Sequence, residues 1–410
     1  MGTLHEEMWL SEGRGRTRAE RRSGAYSYYV PTPLSKLKVL LEPDVVGDVS
    51  RAEIAIARLN EQALALHSSE GIARLLLRAE AVSSSHIEGL SIGTRRLLRA
   101  EMKRSGVMIK SDSNAAEVVG NIHAMEKAIA AAQSEQKVTV GTILDVHRKL
   151  CENTRIEKFG GMVRTTQNWV GGNGYNPLDA EYVPPAPAHV EALLKDIACF
   201  CNDETTSPLV QAALVHAQFE TVHPFVDGNG RTGRALIHLV LRRRGLTPNL
   251  VPPLSLVMAT QAKSYVKGLT DYRFLDDEDP AVAQSGINEW VSFFAGACLT
   301  ACEEAEAFEK SARRLQDAWR ERLGSVRKGS ALDALLSEMV GMPLFTIETA
   351  STSLHRAFSA TSAAVERCVE AGIVKPVGSQ KRNRVFEAPE AIDEFNVFER
   401  RLASPSSAKR

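Results

Sequence analysis

The strongest pattern along the chain is a pair of apolar helical stretches meeting at a glycine-rich break. Residues 209–222 carry Ala212, Val215, Phe219 and Val222 on a three-four spacing, which predicts a helix. Residues 231–244 predict a second, apolar at Ala235, Leu236, Leu239 and Val240 and stopped by Gly245. Upstream, residues 51–78 read as helical with Gly71 as the joint between two helices, the second running on to Glu88 and stopping at Gly89. Further helices are predicted over residues 115–133, over 139–152 with Thr139 as cap, and from 254 to about 272. Residues 287–323 form a longer one, striped by Trp290, Phe293, Phe294, Ala297 and Cys298; its charged later half predicts an exposed connector.

The texture changes twice. Between residues 160 and 185, two β-prone runs, 167–170 and 181–183, flank a glycine-rich turn and predict a hairpin. After a boundary at 324–329, helices are expected over 331–340 and 346–355, with a third capped by Ser359 and ending at Gly372. Strands at 374–377 and 384–387 follow, around a basic turn. Three short helices and a basic hairpin resemble a winged helix-turn-helix, a fold that contacts DNA in some proteins and other proteins elsewhere. Residues 330–410 hold ten basic and ten acidic side chains, which leaves both partners open. Residues 1–33 are polar, with five arginines between Arg14 and Arg22, and are expected to be a flexible lead or an arm lying on the body.

Composition narrows the function classes. The 410 residues carry 50 acidic and 50 basic side chains, so global charge argues for no nucleic-acid or membrane partner. The six cysteines show no paired metal-ligand spacing, and reduced thiols in a cytoplasm are the simplest account. No apolar run approaches the ~18–20 residues of a membrane helix, and nothing before residue 60 resembles a signal peptide.

Candidate chemistry lies in the break, His223-Pro-Phe-Val-Asp-Gly-Asn-Gly-Arg-Thr-Gly-Arg234. Pro224 disfavours helix at His223 and so sets that imidazole at a bend. With an ordinary pKa near ~6.5, it can take a proton from a hydroxyl around neutral pH. Asp227 is a hard oxygen ligand suited to a Mg²⁺ riding on nucleotide phosphates. Asn229 and the backbone at Gly228 and Gly230 can hold a phosphoryl oxygen, helped by the start of the next helix. Arg231 and Arg234, three residues apart on one helical face, can clamp further phosphates. Asp-Gly-Asn-Gly by itself is most often a turn and a helical Arg pair a solvated face, but the three features within twelve residues fit those accounts poorly.

This stretch matches every defined position of the Fic family signature, His-x-Phe-x-Asp/Glu-Gly-Asn-Gly-Arg-x-x-Arg. The resemblance implies a mainly α protein with a Fic-type helical core that binds ATP with Mg²⁺ and moves AMP onto a hydroxyl side chain of a protein. His223 is then the general base, Asp227 the metal ligand, and Asn229, Gly230, Arg231 and Arg234 phosphate ligands. The small Gly228 beside Asp227 favours AMP over terminal-phosphate transfer. Ser84-x-x-x-Glu88-Gly89 is similar to the inhibitory motif of one class of the family, in which Glu88 would pair with Arg234 and deny it to the γ-phosphate. The same carboxylate can alternatively orient water for removal of AMP. The predicted hairpin matches the family's flap: Trp169, Val170, Gly171, Tyr182 and Val183 would hold a target segment as an added strand. The expected layout is a flexible lead (1–33), an N-terminal helical region with the inhibitory helix (34–114), the Fic core and trailing helices (115–323) and the winged-helix-like domain (330–400). Helical faces outside the core suit a homodimer. A DNA-binding regulator with a nucleotide-sensing core is the competing function.

Overall fold

The computed structural model describes residues 2–64, 69–104, 113–133, 137–275, 279–377 and 384–403. Strands β1 (Gly2–Trp9) and β2 (Gly24–Pro31) come first, then helices α1 (Pro43–Leu64), α2 (Ser69–Ile87), α3 (Thr94–Arg104), α4 (Ser113–Gln133) and α5 (Val140–Cys151). The central run is α6 (Pro187–Phe200), α7 (Pro208–Val222), α8 (Asn229–Arg243), α9 (Leu254–Thr260), α10 (Ala262–Asp271) and the long α11 (Pro280–Leu323). The chain ends through α12 (Ala331–Glu338), β3 (Leu344–Thr346), α13 (Ile347–Ser353), α14 (Phe358–Glu370), β4 (Lys375–Val377), β5 (Val385–Glu387) and α15 (Pro389–Ala403). The protein is mainly helical, as its apolar periodicity predicts.

Two compact units share this chain, and they interleave along it. Met1–Glu53, His123–Leu246 and Ala262–Gly296 form one; Ile54–Ile122, Thr247–Gln261 and Ala297–Arg410 form the other.

In the first unit, α7 is buried on every side from Leu209 to Val222, which makes it the central rod. Ser207 caps it, Pro208 opens it, and the Glu53 carboxylate accepts the Leu209 N–H at 3.1 Å and the Ser207 hydroxyl at 2.7 Å. Helix α8 crosses α7 closely at Gly233, where a Cβ would lie 2.8 Å from Glu220 Oε1 and 3.1 Å from a Phe219 ring carbon. Trp290, fully buried, donates its indole N–H to the Ala213 carbonyl at 2.9 Å. The first 33 residues, expected as a flexible lead or an arm on the body, form an antiparallel two-stranded ribbon in register Gly2↔Pro31 to Trp9↔Gly24. Tyr29 anchors it, its hydroxyl donating to the Phe274 carbonyl at 2.8 Å. Polar composition concealed these strands, and the groups that anchor the ribbon through Tyr29 lie far along the chain.

In the second unit, buried polar groups pin the helices. The Glu80 carboxylate on α2 accepts the Ser255 N–H at 2.6 Å, at the start of α9, where a negative charge suits the helix dipole. Asn60 accepts the N–H groups of Asn249 and Leu250 at 2.8 Å each. Gly71 is no joint: it lies inside α2, where its lack of a side chain lets the α12 end approach, the Ser337 carbonyl standing 3.3 Å from its would-be Cβ. The C-terminal segment forms a three-stranded antiparallel sheet in the order β3-β5-β4, packed through Leu344 on Leu98, Met102 and Ile392. Ala357, not Ser359, takes the cap position of α14, and the turn 378–383 lies outside the described residues. The later half of α11 is no bare connector, since Ala301, Cys302, Ala305, Phe308, Ala312 and Trp319 are buried along it.

In the second unit two backbones meet at Gly341, whose would-be Cβ falls 2.2 Å from the Gly71 carbonyl oxygen. Gly341→Ala should therefore lower the unfolding free energy by more than about 2 kcal/mol, read as a lower urea midpoint. An unchanged midpoint would show that the two backbones do not touch.

Candidate active site

The site begins where α7 ends. Pro224 cannot continue the helix, and His223 turns into the left-handed region at φ 48° and ψ 58°, its N–H still reaching the Phe219 carbonyl at 2.9 Å. A side chain in that region costs about 1 kcal/mol or more, so neighbours must hold it there. Arg164 does so. It is buried, its Nε donates to the His223 carbonyl at 2.9 Å, and its Nη atoms donate to the carbonyls of Pro185 at 2.5 Å and Thr166 at 3.2 Å. Its own N–H donates to the Pro224 carbonyl at 2.9 Å. Burial lowers the guanidinium pKa to about 10, which leaves it cationic at neutral pH. Asn168 adds its amide to the carbonyls of His223 at 3.2 Å and Phe225 at 3.0 Å. The His223 ring is 21% exposed, with Nδ1 3.3 Å from the Glu220 carbonyl oxygen. A proton on Nδ1 donated to that carbonyl puts the acceptor lone pair on Nε2.

From Phe225 the loop closes on itself. Asn229 Oδ1 accepts the Phe225 N–H at 2.8 Å, and Nδ2 donates to the Phe225 carbonyl at 2.9 Å. That side chain, expected on a phosphoryl oxygen, instead clasps the loop backbone through both of its polar atoms. Gly228 caps α8 at φ 80°, and the first turn of the helix directs N–H groups and its positive dipole end outward. Asp227 Oδ1 accepts the Gly228 N–H at 2.5 Å and lies 3.3 Å from Arg231 Nη2, while its side chain is 40% exposed. Arg231 and Arg234 follow on α8, both nearly buried.

His147 on α5 supports the loop from below. Its spacing on α5 marks a packing histidine, and it does pack, flat on Phe225 with ring centroids 3.7 Å apart. It also donates Nε2–H to the Asp227 carbonyl at 3.0 Å and accepts the Gly161 N–H on Nδ1 at 3.0 Å. Those two bonds require the neutral ring, and burial pushes its pKa down to about 4. A Cβ at Gly228 would meet Leu150 at 2.9 Å and this imidazole at 3.4 Å, so glycine is needed there for both backbone angle and room.

The predicted hairpin shrinks to one antiparallel bridge, Val170↔Tyr182, with the Val170 N–H on the Tyr182 carbonyl at 2.8 Å. Successive left-handed glycines, Gly171 and Gly172, turn the chain away before a ladder can form. Tyr182 ties the bridge to α7 by donating its hydroxyl to the Thr221 carbonyl at 2.7 Å, with the Arg273 guanidinium 3.6 Å over its ring. Trp169 donates its indole N–H to the Asn173 carbonyl at 2.6 Å. The edge at Val183 is partly taken, because its carbonyl accepts the Tyr29 N–H of β2 at 3.0 Å.

Ser84, Glu88 and Gly89 belong to the second unit, at the end of α2. The Gly89 N–H reaches the His86 carbonyl at 2.9 Å and the Leu90 N–H the Ser85 carbonyl at 3.0 Å, a Schellman ending with Gly89 at φ 77°. Glu88 is the exposed cap residue of that ending, and Ser84 is fully buried. Asn121 fixes the preceding turn by donating to the Ala81 carbonyl at 2.8 Å and to the Ser85 hydroxyl at 3.1 Å.

Among the described residues no group of three or more His, Cys, Asp or Glu could hold a metal ion. The loop offers one partly exposed carboxylate, which fits a cation that arrives with most of its oxygen ligands already supplied by phosphates.

Residues 137–241 match the model of the Fic/DOC family, and residues 46–130 match that of the Fic/DOC family N-terminal region. Protein adenylyltransferase fic-1 of Caenorhabditis elegans is 35% identical over 187 residues, 44% of this chain and 33% of the relative. Protein adenylyltransferase Fic of Drosophila melanogaster is 31% identical over 221 residues, 51% of this chain and 42% of the relative. The matches thus span less than half the length of these curated relatives. A Fic family protein from Desulfovibrio desulfuricans G20, solved by crystallography, is alike in fold, with TM-score 0.51 and 19% identity over 86% of this chain and 98% of that one.

Because His147 and His216 are buried neutral, with pKa values lowered to about 4 and about 3, the unfolded chain binds protons that the folded one refuses. Stability should be full above pH ~6.5 and fall as pH drops towards 4. Melting temperatures across that range should show the loss, and His147→Gln should remove about half of it.

Proposed function

We propose that this chain, whose residues 46–130 and 137–241 match the Fic/DOC family models, transfers AMP from ATP to a side-chain hydroxyl of a protein. The observation that carries the reading is the bend at His223, held by Arg164 in the same unit as the glycine-lined start of α8. ATP lies with its phosphates on the N–H groups of that helix start, at Asn229 to Arg231, where backbone dipoles favour negative charge. Arg231 and Arg234 take the β- and γ-phosphates. Asp227 would hold a Mg²⁺ carried on those phosphates, and that ion would supply charge neutralisation for the leaving pyrophosphate. His223 Nε2 accepts the proton of the target hydroxyl as its oxygen attacks the α-phosphorus. One phosphorus–oxygen bond forms to the target, the α–β anhydride breaks, and the proton passes from His223 to solvent. Gly228, the small residue beside Asp227, is what the family resemblance links to transfer of AMP over terminal-phosphate transfer.

Trp169, Val170, Gly171, Tyr182 and Val183 present the target segment to His223 in this reading. Glu88 restrains the reaction by pairing with Arg234, with Ser84 and Gly89 setting the end of its helix; the same carboxylate can orient water for removal of AMP. The segment from α12 to β5 acts as a winged-helix-like docking module for DNA or protein, supported by its three-stranded sheet. A reducing, cytoplasmic setting agrees with six cysteines that form no disulfide. No described helix is long and apolar enough to cross a membrane. The competing reading, a DNA-binding regulator with a nucleotide-sensing core, has less support, since the relatives named above are adenylyltransferases.

Incubation with α-labelled ATP should label protein, and His223→Ala should lower the labelling at least about 100-fold; equal labelling by the variant would overturn the proposal. Glu88→Gly should raise self-labelling about tenfold or more, whereas unchanged or lower labelling would refute restraint by this carboxylate.

A further inference from the structure

The arginine-rich stretch near the start of the chain finds a place beside the bridge at residues 170–182. Asn176, fully buried, donates its amide to the carbonyls of Ala19 at 2.9 Å and Glu20 at 3.1 Å. Arg22 pairs with Asp179 at 2.8 Å. Trp9 meets Trp169 edge-on at 5.5 Å, and the Tyr29 N–H bonds the Val183 carbonyl at 3.0 Å. The loop joining β1 to β2 is therefore fastened to the segment that presents the target.

Its charge is local. The chain as a whole is neutral, yet residues 12–22 carry five arginines against Glu12 and Glu20. Glu20 is turned inward on its own loop, accepting the N–H groups of Arg16 and Thr17, and Glu12 pairs with Arg14 at 3.1 Å in full solvent. Arg16, Arg18 and Arg21 are exposed and form no ion pair among the described residues. An exposed cationic loop held rigidly beside a docking strand steers and selects anionic partners.

We propose that this loop is a specificity surface, and that the protein segment carrying the modified hydroxyl is acidic around that hydroxyl. The proposal rests on the AMP-transfer reading and names its substrate class. Nucleic acid fits less well, because the aromatic rings nearby already pack on one another: Tyr28 stacks on His5 with centroids 5.3 Å apart, and Trp9 meets Tyr26 and Trp169 edge-on.

The test separates binding from transfer. Fluorescent peptides with a central Ser, Thr or Tyr flanked by Glu, Gln or Lys are titrated against full-length His223→Ala protein with ATP and Mg²⁺. The Glu-flanked series should bind at least about tenfold tighter than the Lys-flanked one at low salt, and the margin should collapse near ~0.5 M salt. Arg16→Gln/Arg18→Gln/Arg21→Gln should erase the preference, and in the active enzyme should raise KM for the Glu series about tenfold with kcat unchanged. Equal binding of all three series, or a preference untouched by the triple substitution, would overturn the proposal, as would a single-stranded oligonucleotide binding more tightly than any peptide through the same arginines. Binding with the expected preference but no labelling by the active enzyme would instead count against the AMP-transfer reading.

Discussion

One strained residue governs the geometry of the first unit. His223 leaves the helical region because a proline follows it, and it stays in the left-handed region because a buried guanidinium holds its carbonyl. Arg164 ties that carbonyl to those of Thr166 and Pro185, on either side of the 170–182 bridge. Any shift of the bridge would therefore be felt at the imidazole. A lysine could not replace it, since a point-like ammonium lacks the planar fork that meets several carbonyls at once.

Beneath the loop, a second set of constraints acts on backbone alone. Asn229 closes the turn onto Phe225, and His147 supports it from below through the Asp227 carbonyl. Neither side chain need touch a ligand to shape the cradle. Both fix the direction of N–H groups, and preorganised dipoles in a partly buried setting act more strongly on a phosphate than mobile ones do. The requirement for a neutral His147 is a by-product of that support: only one tautomer can donate to one carbonyl while accepting from Gly161.

The helices around the site were legible because their signals are local. A three-four apolar spacing from Ala212 to Val222 gives α7, and Gly245 gives the end of α8. The twelve-residue break was legible for the same reason, as proline and glycine punctuate the chain wherever they occur. Arg164 was not legible. A single arginine in a glycine-rich stretch looks like solvent-facing polarity, and the carbonyls it serves lie as far as about 60 residues away. The β1–β2 ribbon escaped notice because its polar residues are stabilised by Tyr182–Val183 and Phe274, contacts that no local window contains. Gly71 misled in the opposite direction: a helix breaker by propensity, it is a contact glycine by packing.

The interleaving of the two units has an outcome for how such a protein can be taken apart. The chain passes from one unit to the other at five places, after residues 53, 122, 246, 261 and 296, and three of those passages fall inside α1, α4 and α11. An uninterrupted helix offers no slack tether for a protease to sever, and nicking one passage leaves four others continuous. Neither half can be transplanted by a single pair of cuts, so recombination between relatives would have to exchange both together or rewire several helices at once.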